Sequence, residues 1–108
     1  MNKKLFFSAA LLLLPLSVGA QGSGVKGDAK AGEAKTSMCI GCHAIPGYKA
    51  SFPSVYSVPM ISGQSQAYIA SALEAYRKGD RSHPTMRGIA WSLSDQDIAD
   101  LSAYYSKR

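Results

Sequence analysis

The sequence predicts an all-α domain of three to four short helices joined by long loops, and three observations carry that prediction. Between Ser65 and Lys78 the residues Ile69, Ala72, Leu73 and Tyr76 recur at i, i+3, i+4 and i+7, the stripe of an amphipathic helix. Near the C-terminus Ser94 is followed three residues later by Asp97, an approximate capping box, with Leu93 and Ile98 placed for a hydrophobic staple. Nowhere does an alternation of period two persist long enough to mark a strand.

The N-terminus reads as an address rather than as structure. Lys3 and Lys4 precede an apolar run from Leu5 to Leu16, interrupted by Pro15, and Val18-Gly19-Ala20 supplies the small residues of a cleavage site. Residues 1–20 are therefore expected to be a signal peptide, cut after Ala20, that exports the chain. The run is too short to cross a bilayer comfortably, so stable membrane insertion after cleavage is not expected. Residues 21–27 read as a flexible tether, and 28–108 as one domain. Subtracting the 20-residue leader from 108 leaves 88 residues, a length at which an apolar core alone is marginal.

Asp28 is a suitable N-cap for a helix carrying Ala29, Ala31, Ala34 and Met38, and Gly32 inside it suggests a close helix crossing. From Ala44 to Pro59 the pattern dissolves into a long loop punctuated by Pro46, Gly47, Pro53 and Pro59, with Tyr48, Phe52, Val55 and Tyr56 available to wall a pocket. The helix from Ser65 stops at Gly79, and ordinary core packing accounts for its apolar stripe. Asp80 to Trp91 reads as another loop, holding Met86 between Pro84 and Gly88, with Trp91 expected to pack. In the last helix Ile98, Leu101 and Tyr105 form the buried face, flanked by Tyr104.

The first of these helices runs into Cys39-Ile40-Gly41-Cys42-His43, the C-x-x-C-H attachment signature of haem c. Two thiols one helical turn apart can both form thioethers with one porphyrin edge, and the adjacent His43 then lies under the iron as proximal ligand. A structural zinc site using Cys39, Cys42, His43 and His83 is a rival, but zinc-finger histidines come as a closely spaced pair. A redox dithiol or disulfide is the other, and it calls for a βαβ scaffold or for oxidation after export. Charge adds little: removing Lys3 and Lys4 from twelve basic residues leaves ten against seven acidic, a net +3. Lys26, Lys30, Lys35 and Lys49 surround the motif while Asp95, Asp97 and Asp100 cluster elsewhere, a dipolar layout suited to steering a partner. Dispersed basic residues on an exported chain give no support for nucleic-acid binding.

A second axial ligand has four candidates in the residues themselves: Met38, Met60, Met86 and His83. Met38 adjoins the attachment cysteine and cannot easily cross the ring. Taken together, Gly27-Asp28, Gly32, the C-x-x-C-H pentapeptide, Pro59-Met60-Ile61-Ser62-Gly63-Gln64 with Tyr68, Gly79-Asp80-Arg81, Met86, and Leu93 to Ile98 before Tyr104-Tyr105 resemble a class I bacterial periplasmic cytochrome c. The chain is similar to a single-haem carrier or to one half of a two-haem relative. That resemblance implies the cytochrome c fold wrapped around one covalent haem with its iron, Met86 as distal ligand, and the Pro59 carbonyl as partner of His43. It also implies that the N-terminal helix crosses the C-terminal one at Gly32, against Tyr104 or Tyr105. Two departures stand out: Ala44 where relatives commonly have glycine, and a longer, more aromatic stretch from Tyr48 to Val58.

With both axial positions filled by protein, such an iron exchanges single electrons and has no open site for substrate. The expected function is therefore non-enzymatic: a periplasmic electron carrier with transient redox donors and acceptors. The alternative is a haem-bearing subunit in stable association with a periplasmic dehydrogenase or oxidase, touching it through Tyr48 to Val58. A ligand-binding haem would need Met86 to be displaceable.

Overall fold

A computed structural model describes residues 24–51 and 54–108. The leader at 1–20, the start of the tether and Phe52 lie outside the described residues. Five helices and one two-stranded ribbon form among them: α1 Ala29–Glu33, α2 Ser37–His43, β1 Lys49–Ala50, β2 Tyr56–Ser57, α3 Gln66–Lys78, α4 Pro84–Trp91 and α5 Asp95–Ser106. The class is all-α, with one helix beyond the expected upper count. α1 packs on α5, and α3 packs on both α4 and α5. Ile69 of α3 with Leu101 and Tyr105 of α5 forms the centre of the core, joined by Cys39, Ile61, Leu73, Leu93 and Tyr104.

The termini of the helices follow from local chemistry. The Asp28 carboxylate accepts from the Lys30 and Ala31 amides at the start of α1. Ser65 caps α3 through the Tyr68 amide, and Gly79 ends it in the left-handed region at φ 90°, where a side chain would be strained. Ser94 and Asp97 form the full reciprocal capping box of α5, at 3.1 and 3.0 Å.

Four expectations are corrected. The single first helix is two helices, because after Gly32 the Lys35 amide bonds back to the Gly32 carbonyl and the Thr36 hydroxyl donates to Glu33 O, closing a turn. Met86 sits in a helix rather than a loop. Pro84, placed in the expected loop, occupies the first helical position, where a missing N–H costs nothing, and His83 caps the turn. Within 44–59 the chain makes a short antiparallel ribbon pairing Lys49 with Ser57 and Ala50 with Tyr56, and two residues per strand are too few to show a period. Trp91, expected to pack, is 74% exposed at the end of α4.

The crossing of α1 on α5 is as close as backbones allow. A Cβ on Gly32 would collide with the Asp100 carbonyl and come within 2.8 Å of Tyr104 Cβ, and one on Gly27 would collide with the Ala99 carbonyl. Around this contact runs a polar cluster. Asp100, 2% exposed, accepts from the Asp28 amide at 2.8 Å, the Gln96 side chain at 2.8 Å and Lys35 Nζ at 2.7 Å. Lys35 also bridges Asp97 at 2.7 Å, and Gln96 donates to the Lys26 carbonyl at 3.0 Å. Lys35 thus neutralises part of the acidic cluster, and the charge separation expected from the sequence is smaller in the fold. The Lys35 ammonium, then the Ser94 amide and hydroxyl, hold Asp97 down at about 2. Lys35 and the Asp28 amide hold Asp100 below its ordinary value, and Lys35 is raised in return, first by Asp100 and then by Asp97.

Two outcomes follow for stability. Gly32→Ala is expected to cost roughly 3 kcal/mol, because the clash is with backbone that cannot move aside, and denaturant unfolding of the haem-loaded protein measures it. Both aspartates have folded pKa values below the ordinary 3.8, so their contribution is full above that value and is lost as pH falls toward about 2. Thermal melts from pH 6 downward should show this acid limb, flattened in Asp100→Asn.

Candidate haem site

A cavity of about 490 Å³ opens between α2, the segment through β2 to Ile61, α3, α4 and α5. That volume lies in the range of cofactor pockets. Its walls are chiefly apolar: Val58 and Ile61, Ile69, Ala72 and Leu73 from α3, Ile89 from α4, and Leu93 and Leu101. The α3 stripe, expected to be ordinary core, does pack in the core through Ile69 and Leu73 and lines this space as well.

On one side α2 presents Cys39 and Cys42, one helical turn apart, both free thiols and both partly buried. Burial pushes the Cys39 thiol up, and the neighbouring Tyr105 hydroxyl partly offsets that. His43 closes the same helix. Its Nδ1 lies 2.6 Å from the Pro59 carbonyl oxygen, and since a carbonyl only accepts, Nδ1 carries the proton. Nε2 is left with a free lone pair, the form in which imidazole ligates a metal. Ala44 follows in an ordinary right-handed conformation, φ −95° and ψ 0°, so nothing here requires the glycine that relatives commonly carry.

From α4, Met86 reaches the cavity partly buried, whereas Met60 and Met38 also line it but are 50% and 48% exposed. His83 lines the cavity too. Its Nδ1 accepts from the Met86 amide at 3.3 Å, which puts the ring proton on Nε2 and leaves no lone pair for a metal. Cys39, Cys42 and His83 do not converge: among the described residues no three His, Cys, Asp or Glu side chains could hold a metal ion. A Cys₂His₂ zinc site is therefore not assembled.

Three features escaped the sequence reading. Arg81 stacks over the Tyr76 ring at 4.6 Å on the cavity wall, a cation in a mainly apolar lining, and only its place in Gly79-Asp80-Arg81 hinted at it. The Tyr105 hydroxyl is buried without a hydrogen-bond partner, and desolvation, then Cys39, drives its pKa strongly up. His83 as a helix cap was hidden because histidine is not among the usual capping residues.

The residues fit a haem. An apolar slot suits the macrocycle, two thiols one turn apart suit thioether attachment, an imidazole with Nε2 free and a thioether suit iron, and Arg81 suits carboxylates at the rim. The Tyr105 hydroxyl, buried beside Cys39 without a hydrogen-bond partner, lies on the wall that the macrocycle would cover.

Comparison with known proteins agrees. The family model described as cytochrome c matches residues 29–107. Cytochrome c-554(548) of Halomonas halodenitrificans is 42% identical over 85 residues, covering 76% of this chain and 98% of that protein. Cytochrome c4 of Pseudomonas aeruginosa is 33% identical over 99 residues, covering 91% of this chain and 47% of that protein, so the chain spans about half of it. The solved cytochrome c4 of Acidithiobacillus ferrooxidans superposes with a TM-score of 0.63 at 27% identity, covering 85% of this chain and 56% of that one. The chain belongs to the cytochrome c family, electron carriers rather than enzymes, which hold haem c and its iron covalently, one haem in a domain of this size.

Proposed function

We propose that this chain is a periplasmic single-electron carrier whose haem is attached through Cys39 and Cys42 and ligated by His43 and Met86. The observation that carries this is the convergence of a His43 ring with Nε2 free and a partly buried Met86 on one apolar cavity, from two different helices. When bound, the haem supplies the one-electron couple. The protein does the rest. Pro59 fixes the imidazole's tautomer and orientation, as outer-shell partners of metal ligands do. The α3 stripe and Leu101 give the cavity an apolar wall, and an apolar surround with a thioether ligand favours the reduced state.

Docking belongs to the rim. Met38, Ile40, Met60 and Tyr68 are each about half exposed (48%, 50%, 50% and 52%) beside or on α2 and α3. An apolar rim of this kind suits small, transient encounters with redox donors and acceptors. Export follows from the leader at 1–20, and among the described residues no helix is long and apolar enough to cross a membrane.

The test is the optical spectrum and intact mass of protein recovered from the periplasm. The expected mass is that of the chain from Gln21 plus one haem, and the expected oxidised spectrum has the far-red band of methionine-ligated iron. Met86→Ala should abolish that band while Met60→Ala keeps it. Retention of the band in Met86→Ala would sink the ligand assignment. Size-exclusion of a native extract separates a free carrier from a subunit: elution only at high mass would favour stable association with a dehydrogenase or oxidase.

A further inference from the structure

We infer that His83 is the positioning residue for Met86, and that the ribbon β1–β2 exists to hold His83. The inference rests on the reading of Met86 as the distal ligand and goes beyond it, to what keeps that ligand in place. Met86 is the third residue of α4, in the turn whose backbone N–H groups have no intrahelical partner and which frays first. Pro84 brings no N–H, and the Met86 N–H finds its acceptor in His83 Nδ1 at 3.3 Å. The cap therefore falls on the residue that must stay over the cavity.

Serine or asparagine would cap this turn as well or better, so capping alone does not account for an imidazole. The ring does a second thing that they cannot. It meets the ring of Tyr56 edge to face, centroids 4.4 Å apart at 80°, and both rings line the cavity. Tyr56 is held in turn by pairing with Ala50 across the ribbon, which the Val58 amide extends by donating to the Tyr48 carbonyl at 2.9 Å. A chain of contacts thus runs from the ribbon through Tyr56 and His83 to the backbone of Met86. Tyr48 to Ala50 and Tyr56 to Val58, the paired arms of the ribbon, thereby brace α4.

The experiment is carbon monoxide capture by the reduced, haem-loaded protein, which reads how often the Met86 thioether is away, with circular dichroism confirming that each variant is fully folded at the working temperature. His83→Ala should speed capture about fivefold, the factor that loss of an N-cap carries. His83→Asn, which restores an acceptor without the ring, should fall between wild type and His83→Ala. Tyr56→Ala should speed capture about threefold when His83 is present and have no further effect in the His83→Ala background, since it acts through that ring. An unchanged rate in His83→Ala, equal rates in His83→Asn and His83→Ala, or additive effects of Tyr56→Ala and His83→Ala would each overturn the proposal. Met86→Ala keeps the two readings apart. Fast capture there with a silent His83→Ala sinks only the bracing role, whereas a Met86→Ala variant as slow as wild type sinks the ligand assignment itself.

Discussion

The backbone contact between α1 and α5 at Gly32 is the constraint on which the site's geometry depends. Two helices can approach this closely only where one has no Cβ, and here the missing atom's place is taken by the Asp100 carbonyl. Once α1 is seated, only three residues separate it from α2, and one of them, Lys35, is tied by its side chain to Asp97 and Asp100. α2 therefore leaves the crossing in a fixed direction. That direction brings Cys39 against the core of Ile69, Leu101 and Tyr105, with Cys42 and His43 on the same cavity. A buried carboxylate is costly unless its partners are all present, and Asp100 has them on three sides, which makes the crossing specific as well as close.

Core and site are one surface in this fold. Leu101 and Tyr105 are buried residues of α5, and with Ile69 and Leu73 they also bound the cavity. A chain this short has little apolar surface to set aside for a separate core. A covalently held macrocycle in this cavity would complete the centre of the domain as well as supply its redox group. The two proposed iron ligands would be held from outside that centre, His43 by the Pro59 carbonyl and Met86 by the His83 cap.

Much of the fold was legible because it is written in local chemistry. The α3 stripe, the Ser65 and Gly79 ends, the capping box at Ser94 and Asp97, and the glycine at the crossing all act within a few residues or leave a compositional mark. What was misread has equally local reasons. Pro84 and Gly88 are loop signals in isolation, yet Pro84 suits the first position of a helix, and a Cβ at Gly88 would meet nothing within 4 Å. The turn that splits α1 from α2 is closed locally by the Lys35 amide and the Thr36 hydroxyl, but the Lys35 side chain also ties it to residues more than sixty positions away, which no window along the chain contains. Trp91 shows the limit of assigning large apolar residues to the interior, since it ends α4 on the outer side.

The sequence by itself determined the attachment chemistry and the family, because C-x-x-C-H states both thiols and an imidazole within one turn and the flanking motifs accompany it over nearly the whole domain. For the second axial position residue type alone offered Met38, Met60, Met86 and His83, with Met38 badly placed beside Cys39, and only the family resemblance pointed to Met86. Tertiary structure adds differences of burial and hydrogen bonding that support the proposed Met86: it is partly buried where Met60 and Met38 are half exposed, and His83 spends its lone pair on a helix cap. Those properties belong to the packed chain, since exposure and proton placement exist only once distant elements meet.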